Sequence, residues 1–138
     1  MKKLLMLIAV LLLTLVLPIA AEPESKPTVD IDLSAFNRGM VYAQMSSVLR
    51  APELYEGKVF RVKGQFNYSE KRQTATLIFV DSAGCCEVSL AVRSDQLLSY
   101  PEDYPPLYAQ ATVTGRLTFD PDSPDETWFF SEAYWEWK

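Results

Sequence analysis

A chain of 138 residues with 49% apolar side chains, 18 acids against 13 bases, two cysteines and no histidine has room for one small globular domain and not for two. The missing histidine excludes Ser-His and Cys-His catalysis, His-ligated zinc and imidazole pH switching together, because no other side chain titrates near neutrality without a large environmental shift. Charged residues at 22% and aromatics at 12% exclude wholesale disorder.

Lys2 and Lys3 precede an apolar stretch from Leu4 to Leu17, broken only by Thr14, and Pro18-Ile19-Ala20-Ala21 follows. This reads as an export signal over residues 1–21, cut after Ala21. The apolar run is short for a hydrocarbon core about 30 Å thick at about 1.5 Å per residue, which favours cleavage over an N-terminal anchor. An uncut segment is the one membrane attachment the sequence offers. No cysteine lies near the cut, so a lipid anchor is not expected. Cleavage removes two lysines and leaves an acidic exported protein, secreted or held at the extracytoplasmic face of the cell membrane. Residues 22–36 read as a flexible linker, since Glu22 to Asp32 combines Pro23 and Pro27 with Ser25, Thr28 and four acids.

The folded domain is expected over residues 37–138. Asn37 is placed to cap a helix running to about Arg50, with Val41, Met45, Val48 and Leu49 on one face and Pro52 as its stop. From Lys58 to Tyr68, Phe60, Val62, Gly64, Phe66 and Tyr68 alternate with Arg61, Lys63, Gln65 and Asn67, the period of a half-buried strand. Ala75 to Val80 is a second strand, Asp81-Ser82-Ala83-Gly84 a turn, and Cys86, Val88, Leu90 and Val92 the inward side of a third, making a hairpin. Gln96 to Ser99 has the length of one helical turn before the proline-rich stretch from Tyr100 to Pro106. Ala111, Val113, Gly115, Leu117 and Phe119 mark a fourth strand, and Thr127 to Trp137 a fifth.

Three strands, an interruption and two further strands predict a mainly β fold: a five-stranded OB-like Greek-key barrel preceded by an N-terminal amphipathic helix. Gly64 and Gly115 lie mid-strand on the inward face, where a bent strand of a closed barrel needs room. An open sheet with a packed helix is the alternative.

The segments Pro52-Glu53-Leu54-Tyr55-Glu56-Gly57-Lys58-Val59, Arg61-Val62-Lys63-Gly64, Gly84-Cys85-Cys86 and Val113-Thr114-Gly115 resemble those of small exported OB-fold-like proteins of Gram-positive anaerobes, over most of residues 38–120. More distantly, the strand leading into Cys85-Cys86 is similar to the Cys-Cys-containing exported C-terminal domain of a permease-partner family that keeps company with metal transport. The resemblance implies a fold and a compartment rather than a reaction.

Cys85-Cys86 is the unusual feature. Adjacent α-carbons are about 3.8 Å apart, below the span of an unstrained disulfide, so a bridge between them is strained and easily reduced, as a redox switch requires. With both thiolates turned to one side, the pair instead suits a soft ion, with Glu87 or Asp81 adding oxygen. A third reading keeps the strand regular, with Cys86 in the core beside Val88 and Leu90 and Cys85 facing outward.

Other groups carry weaker signals. Lys58 to Arg72 carries a net charge of +4, but Asp95 to Glu136 carries −8, so the basic strand is expected to pair with its own acidic half and nucleic acid is not an expected partner. Asp120, Asp122, Asp125 and Glu126 form an acidic turn without EF-hand spacing. Among the aromatics, Trp128, Phe130 and Tyr134 are expected in the core, and Phe129, Trp135 and Trp137 on the opposite face as a ligand-binding stripe.

With no catalytic set in view, these features point to a non-catalytic exported OB-like binding module for an envelope protein or a small ligand. The alternative is a metal- or redox-linked accessory protein, such as an aid to a metal transporter, acting through Cys85, Cys86 and Glu87. No cofactor is expected beyond a thiolate-bound metal ion in that alternative.

Overall fold

The computed structural model describes residues 26–123 and 127–137. The expected export signal over residues 1–21 lies outside the described residues. Among the described residues the fold is mainly β, a closed five-stranded barrel with one α-helix. No helix among the described residues is long and apolar enough to cross a membrane.

The chain enters through β1 (Ile31–Asp32), which pairs in parallel with Phe60 and Arg61. This corrects the reading of residues 22–36 as a tether throughout. The amide of Asp30 donates to the Val59 carbonyl at 2.9 Å, that of Leu33 to the Arg61 carbonyl at 2.7 Å, and Leu33 is buried. Two apolar side chains among acids gave too little alternation to announce a strand.

The helix α1 (Arg38–Arg50) begins where the Asn37 side chain accepts the Met40 amide at 3.0 Å, satisfying one of the donors a helix start leaves open. It buries Val41, Met45 and Val48 against the barrel strands. A short 3-10 turn, Pro52–Tyr55, follows, and Gly57 at φ 78° turns the chain into the barrel.

The barrel consists of β2 (Val59–Ser69), β3 (Thr74–Val80), β4 (Glu87–Val92), β5 (Gln110–Asp120) and β6 (Thr127–Glu136). They run in the order β2-β3-β4-β6-β5, and β5 closes the ring by pairing with β2. All these pairings are antiparallel except β4 with β6.

Closure depends on β2 serving two partners. Val59 to Gln65 pair with β5, and Gln65 to Ser69 pair with β3, so the strand changes neighbours beside Gly64. A Cβ at position 64 would lie 2.8 Å from both the Ile78 carbonyl oxygen and the Leu77 Cγ. The bend is therefore open to glycine alone. Phe60, Val62, Leu77, Phe79, Leu90, Val92, Val113, Leu117 and Phe130 fill the interior, with Val41, Met45 and Val48 of α1 in the same cluster.

The expected helical turn at Gln96 to Ser99 is irregular chain. The stretch from Arg93 to Ala109 instead packs aromatic rings on the barrel: Tyr104 stacks on Phe66 at 5.5 Å and Tyr100 on Tyr68 at 4.0 Å between centroids.

The last strand departs most from the expected pattern. Ser131 pairs with Arg116 and Tyr134 with Thr114, so two residues of β6 face the single Gly115. This bulge, with Glu132 at φ 49°, reverses the alternation. Phe130 and Ala133 are buried and Trp135 packs against the core, while Tyr134, paired with Thr114, is partly exposed and stands outside the core cluster. The expectation of Tyr134 in the core and Trp135 outside is thereby inverted, because strict alternation ignores an inserted residue.

Candidate functional site

Two places gather chemically useful side chains. The first is the loop from Asp81 to Cys86 between β3 and β4. Its ends are tied by the Asp81 amide donating to the Cys86 carbonyl at 2.9 Å, and the Gly84 amide turns back to the Asp81 carbonyl at 3.2 Å. Gly84 adopts φ 75°, a conformation that glycine enters without penalty. The Asp81 carboxylate then reaches across the loop, where its Oδ1 accepts the amides of Cys85 at 2.9 Å and Cys86 at 3.3 Å.

Its Oδ2 accepts from the Cys85 thiol at 3.3 Å, and the two sulfurs lie 3.7 Å apart. Both cysteines are free and exposed. Cys86 therefore does not join Val88 and Leu90 in the core, since β4 begins only at Glu87 and the preceding turn carries both thiols to the same side. Asp81 and the two cysteines place three donor atoms within 4.8 Å of one another. Glu87, expected as a ligand, is instead in register with Val80 at the start of the β3–β4 ladder and stands outside that group.

The electrostatics of the loop follow from the carboxylate. The hydrogen bond to Asp81, then that to Cys86 and the negative charge of Asp81, push the Cys85 thiol up to about 11. Loss of solvent alone would raise the Asp81 carboxyl, but hydrogen bonds from the Cys86 amide, the Cys85 thiol and the Cys85 amide outweigh it and hold Asp81 below the usual carboxylate range. The loop is also braced from α1, where the Arg38 guanidinium donates to the Ser82 carbonyl at 2.8 Å.

The second place is a hollow of about 840 Å³ on the barrel rim, where β5 begins and β6 ends. It is lined by Lys63, Gln110, Ala111, Thr112, Trp135, Glu136 and Trp137. Trp135 is anchored edge-on against Phe66 at 5.2 Å, whereas Trp137 is 40% exposed. Lys63 and Gln110 are exposed beside them. Two of the three aromatic candidates therefore meet here.

Phe129 does not join them. It lies before the bulge, only 7% exposed, with the Arg93 guanidinium 3.9 Å above its ring. The pocket's polar members were not singled out in the sequence, because Lys63 and Gln110 come from strands whose pairing across the barrel alone brings them to the tryptophans.

Elsewhere, three arginines hold acidic partners. Arg61 bonds Glu136 at 2.8 Å and lies 3.6 Å from Asp32, and Arg116 meets Glu132 at 3.0 Å. Arg93 holds Asp120 at 2.6 Å, which takes that carboxylate out of the acidic turn. Asp125 and Glu126 lie outside the described residues.

No protein-family model matches the chain, and no curated protein matches it.

Proposed function

We propose that the chain is an exported, non-catalytic binding module on an OB-like Greek-key barrel, and that its rim hollow takes a small ligand of saccharide type. The strand order supports the OB reading: five strands close on the first, with β4 and β6 as the parallel pair and α1 packed against the barrel.

The observation that carries the function is the hollow. Its volume falls in the range of small-ligand sites, and an exposed tryptophan beside an anchored one offers flat apolar faces to a sugar ring. Lys63, Gln110 and Thr112 supply donors and acceptors for the hydroxyl groups around that ring. A concave site of this size favours a small ligand over an envelope protein, whose interface would bury about 800 Å² on each partner.

The test is calorimetric titration of the full chain with oligomers of N-acetylglucosamine, a sugar of cell envelopes. Saturable binding that Trp137→Ala weakens about tenfold or more is expected, the loss of one well-placed ring. Equal binding by the wild type and the Trp137→Ala protein, or none by either, would refute the assignment.

A further inference from the structure

We propose that the β3–β4 loop is a metal site in which Cys85, Cys86 and Asp81 hold one Zn(II) ion, with a fourth position open to water or an incoming ligand. The site shares no residue with the rim hollow, so it stands apart from the saccharide reading.

The geometry points to this ion by its distances. Two thiolate sulfurs about 2.3 Å from a tetrahedral zinc stand about 3.8 Å from each other. The Cys85 and Cys86 sulfurs are 3.7 Å apart. A sulfur at about 2.3 Å and a carboxylate oxygen at about 2.0 Å from the same ion stand about 3.5 Å apart. The Cys85 sulfur and Asp81 Oδ2 are 3.3 Å apart. Two edges of a zinc tetrahedron are thus already close to formed, and the third donor pair falls within the 4.8 Å span of the cluster.

The backbone produces this arrangement against the ordinary tendency of the chain. Consecutive residues of a strand point to opposite faces, and a regular β4 extended to Cys85 would separate the sulfurs. The left-handed Gly84 and the late start of β4 at Glu87 remove Cys85 and Cys86 from that alternation. The carboxylate is aimed as well. Asp81 Oδ1 is held by two amides, which leaves Oδ2 on the thiol side. A ligand whose orientation is fixed by its own hydrogen bonds is what a metal site's outer shell provides.

The donor set also discriminates among ions. Two thiolates exclude the hard cations calcium and magnesium, and a carboxylate beside them suits Zn(II) better than Cu(I), which sulfur alone satisfies. Both cysteines are exposed, so the ion has an open path in.

The test uses the full chain purified under reducing conditions and titrated with Zn(II) against a chromophoric chelator. Co(II) is then substituted as a spectroscopic probe. One equivalent of Zn(II) is expected, with sulfur-to-cobalt charge-transfer bands and the intense ligand-field bands of a tetrahedral site. Cys85→Ser and Cys86→Ser should each weaken Zn(II) by roughly 100-fold or more, beyond the loss typical of an outer-shell change, and Asp81→Asn by roughly tenfold. Trp137→Ala should leave the metal titration unchanged. Absence of a stoichiometric Zn(II) site, a cobalt spectrum without sulfur bands, or equal affinity in the Cys85→Ser/Cys86→Ser double variant would each overturn the site, and far-ultraviolet circular dichroism of the variants confirms that the barrel is intact.

Discussion

Gly115 faces Phe130 so closely across the β5–β6 pair that a Cβ at position 115 would lie 2.8 Å from the Phe130 Cβ and 3.2 Å from that of Ala133. Both neighbours are buried and belong to β6 on either side of its bulge. Neither is the loose end of a flexible side chain, so the strands themselves must part. Gly115→Ala is therefore expected to destabilise the barrel by about 1–3 kcal/mol, the usual cost of overpacking. Urea unfolding checks this, and a midpoint equal to that of the wild type would contradict it.

Thr114, one residue away, is buried at 1% exposure, and its hydroxyl has no hydrogen-bond partner among the described residues. Valine has nearly the same shape and carries no polar atom to desolvate. Thr114→Val should raise stability by about 1 kcal/mol. A lower melting temperature in the variant would show that the hydroxyl is satisfied after all.

Hydrogen-bonded and ion-paired carboxylates contribute to the acid limb of stability. The Arg61 guanidinium holds Glu136 below the usual carboxylate range, Arg93 does the same for Asp120, and the Ser34 hydroxyl and amide do it for Asp32. A carboxyl depressed in the folded state adds stability that is present above its ordinary titration range and lost as pH falls through the folded value. Stability should hold at neutral pH and decline below roughly pH 4. Glu136→Gln should flatten that decline, as read from thermal unfolding across a pH series, and an unchanged acid limb would count against the role of Arg61.

In the metal-free protein, Asp81 suppresses Cys85. Removing the carboxylate's hydrogen bond, and with it the charge, should lower the Cys85 thiol from about 11 toward the ordinary range, so Asp81→Asn should react faster with iodoacetamide at pH 8. Peptide mapping after brief alkylation reads the change at Cys85 directly. A slower reaction would reverse the sign of the argument.

The two rim tryptophans should separate by role. Trp135 packs on Phe66 and Tyr104, and its truncation should cost about 2–4 kcal/mol of stability. Trp137 is exposed, and Trp137→Ala should move stability by less than about 0.5 kcal/mol while weakening ligand binding. Unfolding curves for both variants test the contrast.

Alternation made the barrel legible where strands are regular. Phe60, Val62 and Phe66 announce the buried side of β2, and Gly64 and Gly115 announce the tight places. The Asp81–Gly84 turn between two apolar runs announces the β3–β4 hairpin. Strand β1 was hidden because its pairing uses backbone groups of an acidic segment. The inverted end of β6 was hidden because one inserted residue leaves no compositional trace.

At the candidate sites, Cys85 and Cys86 were evident as a pair. Asp81 emerges as their partner over Glu87 only when the loop's hydrogen bonds are known. Trp135 and Trp137 were likewise evident, but not the Lys63 and Gln110 that the barrel's closure sets beside them.

The most direct measurement is a ¹⁵N-edited titration of the full chain with an N-acetylglucosamine oligomer, following the three indole N–H signals. Trp135 and Trp137 line the hollow, whereas Trp128 packs on Phe119 at 5.1 Å and is not among the lining residues. Saturable movement of the Trp135 and Trp137 signals with a stationary Trp128 is the predicted result. No movement at millimolar saccharide, or equal movement of all three, would contradict the binding function assigned to the rim.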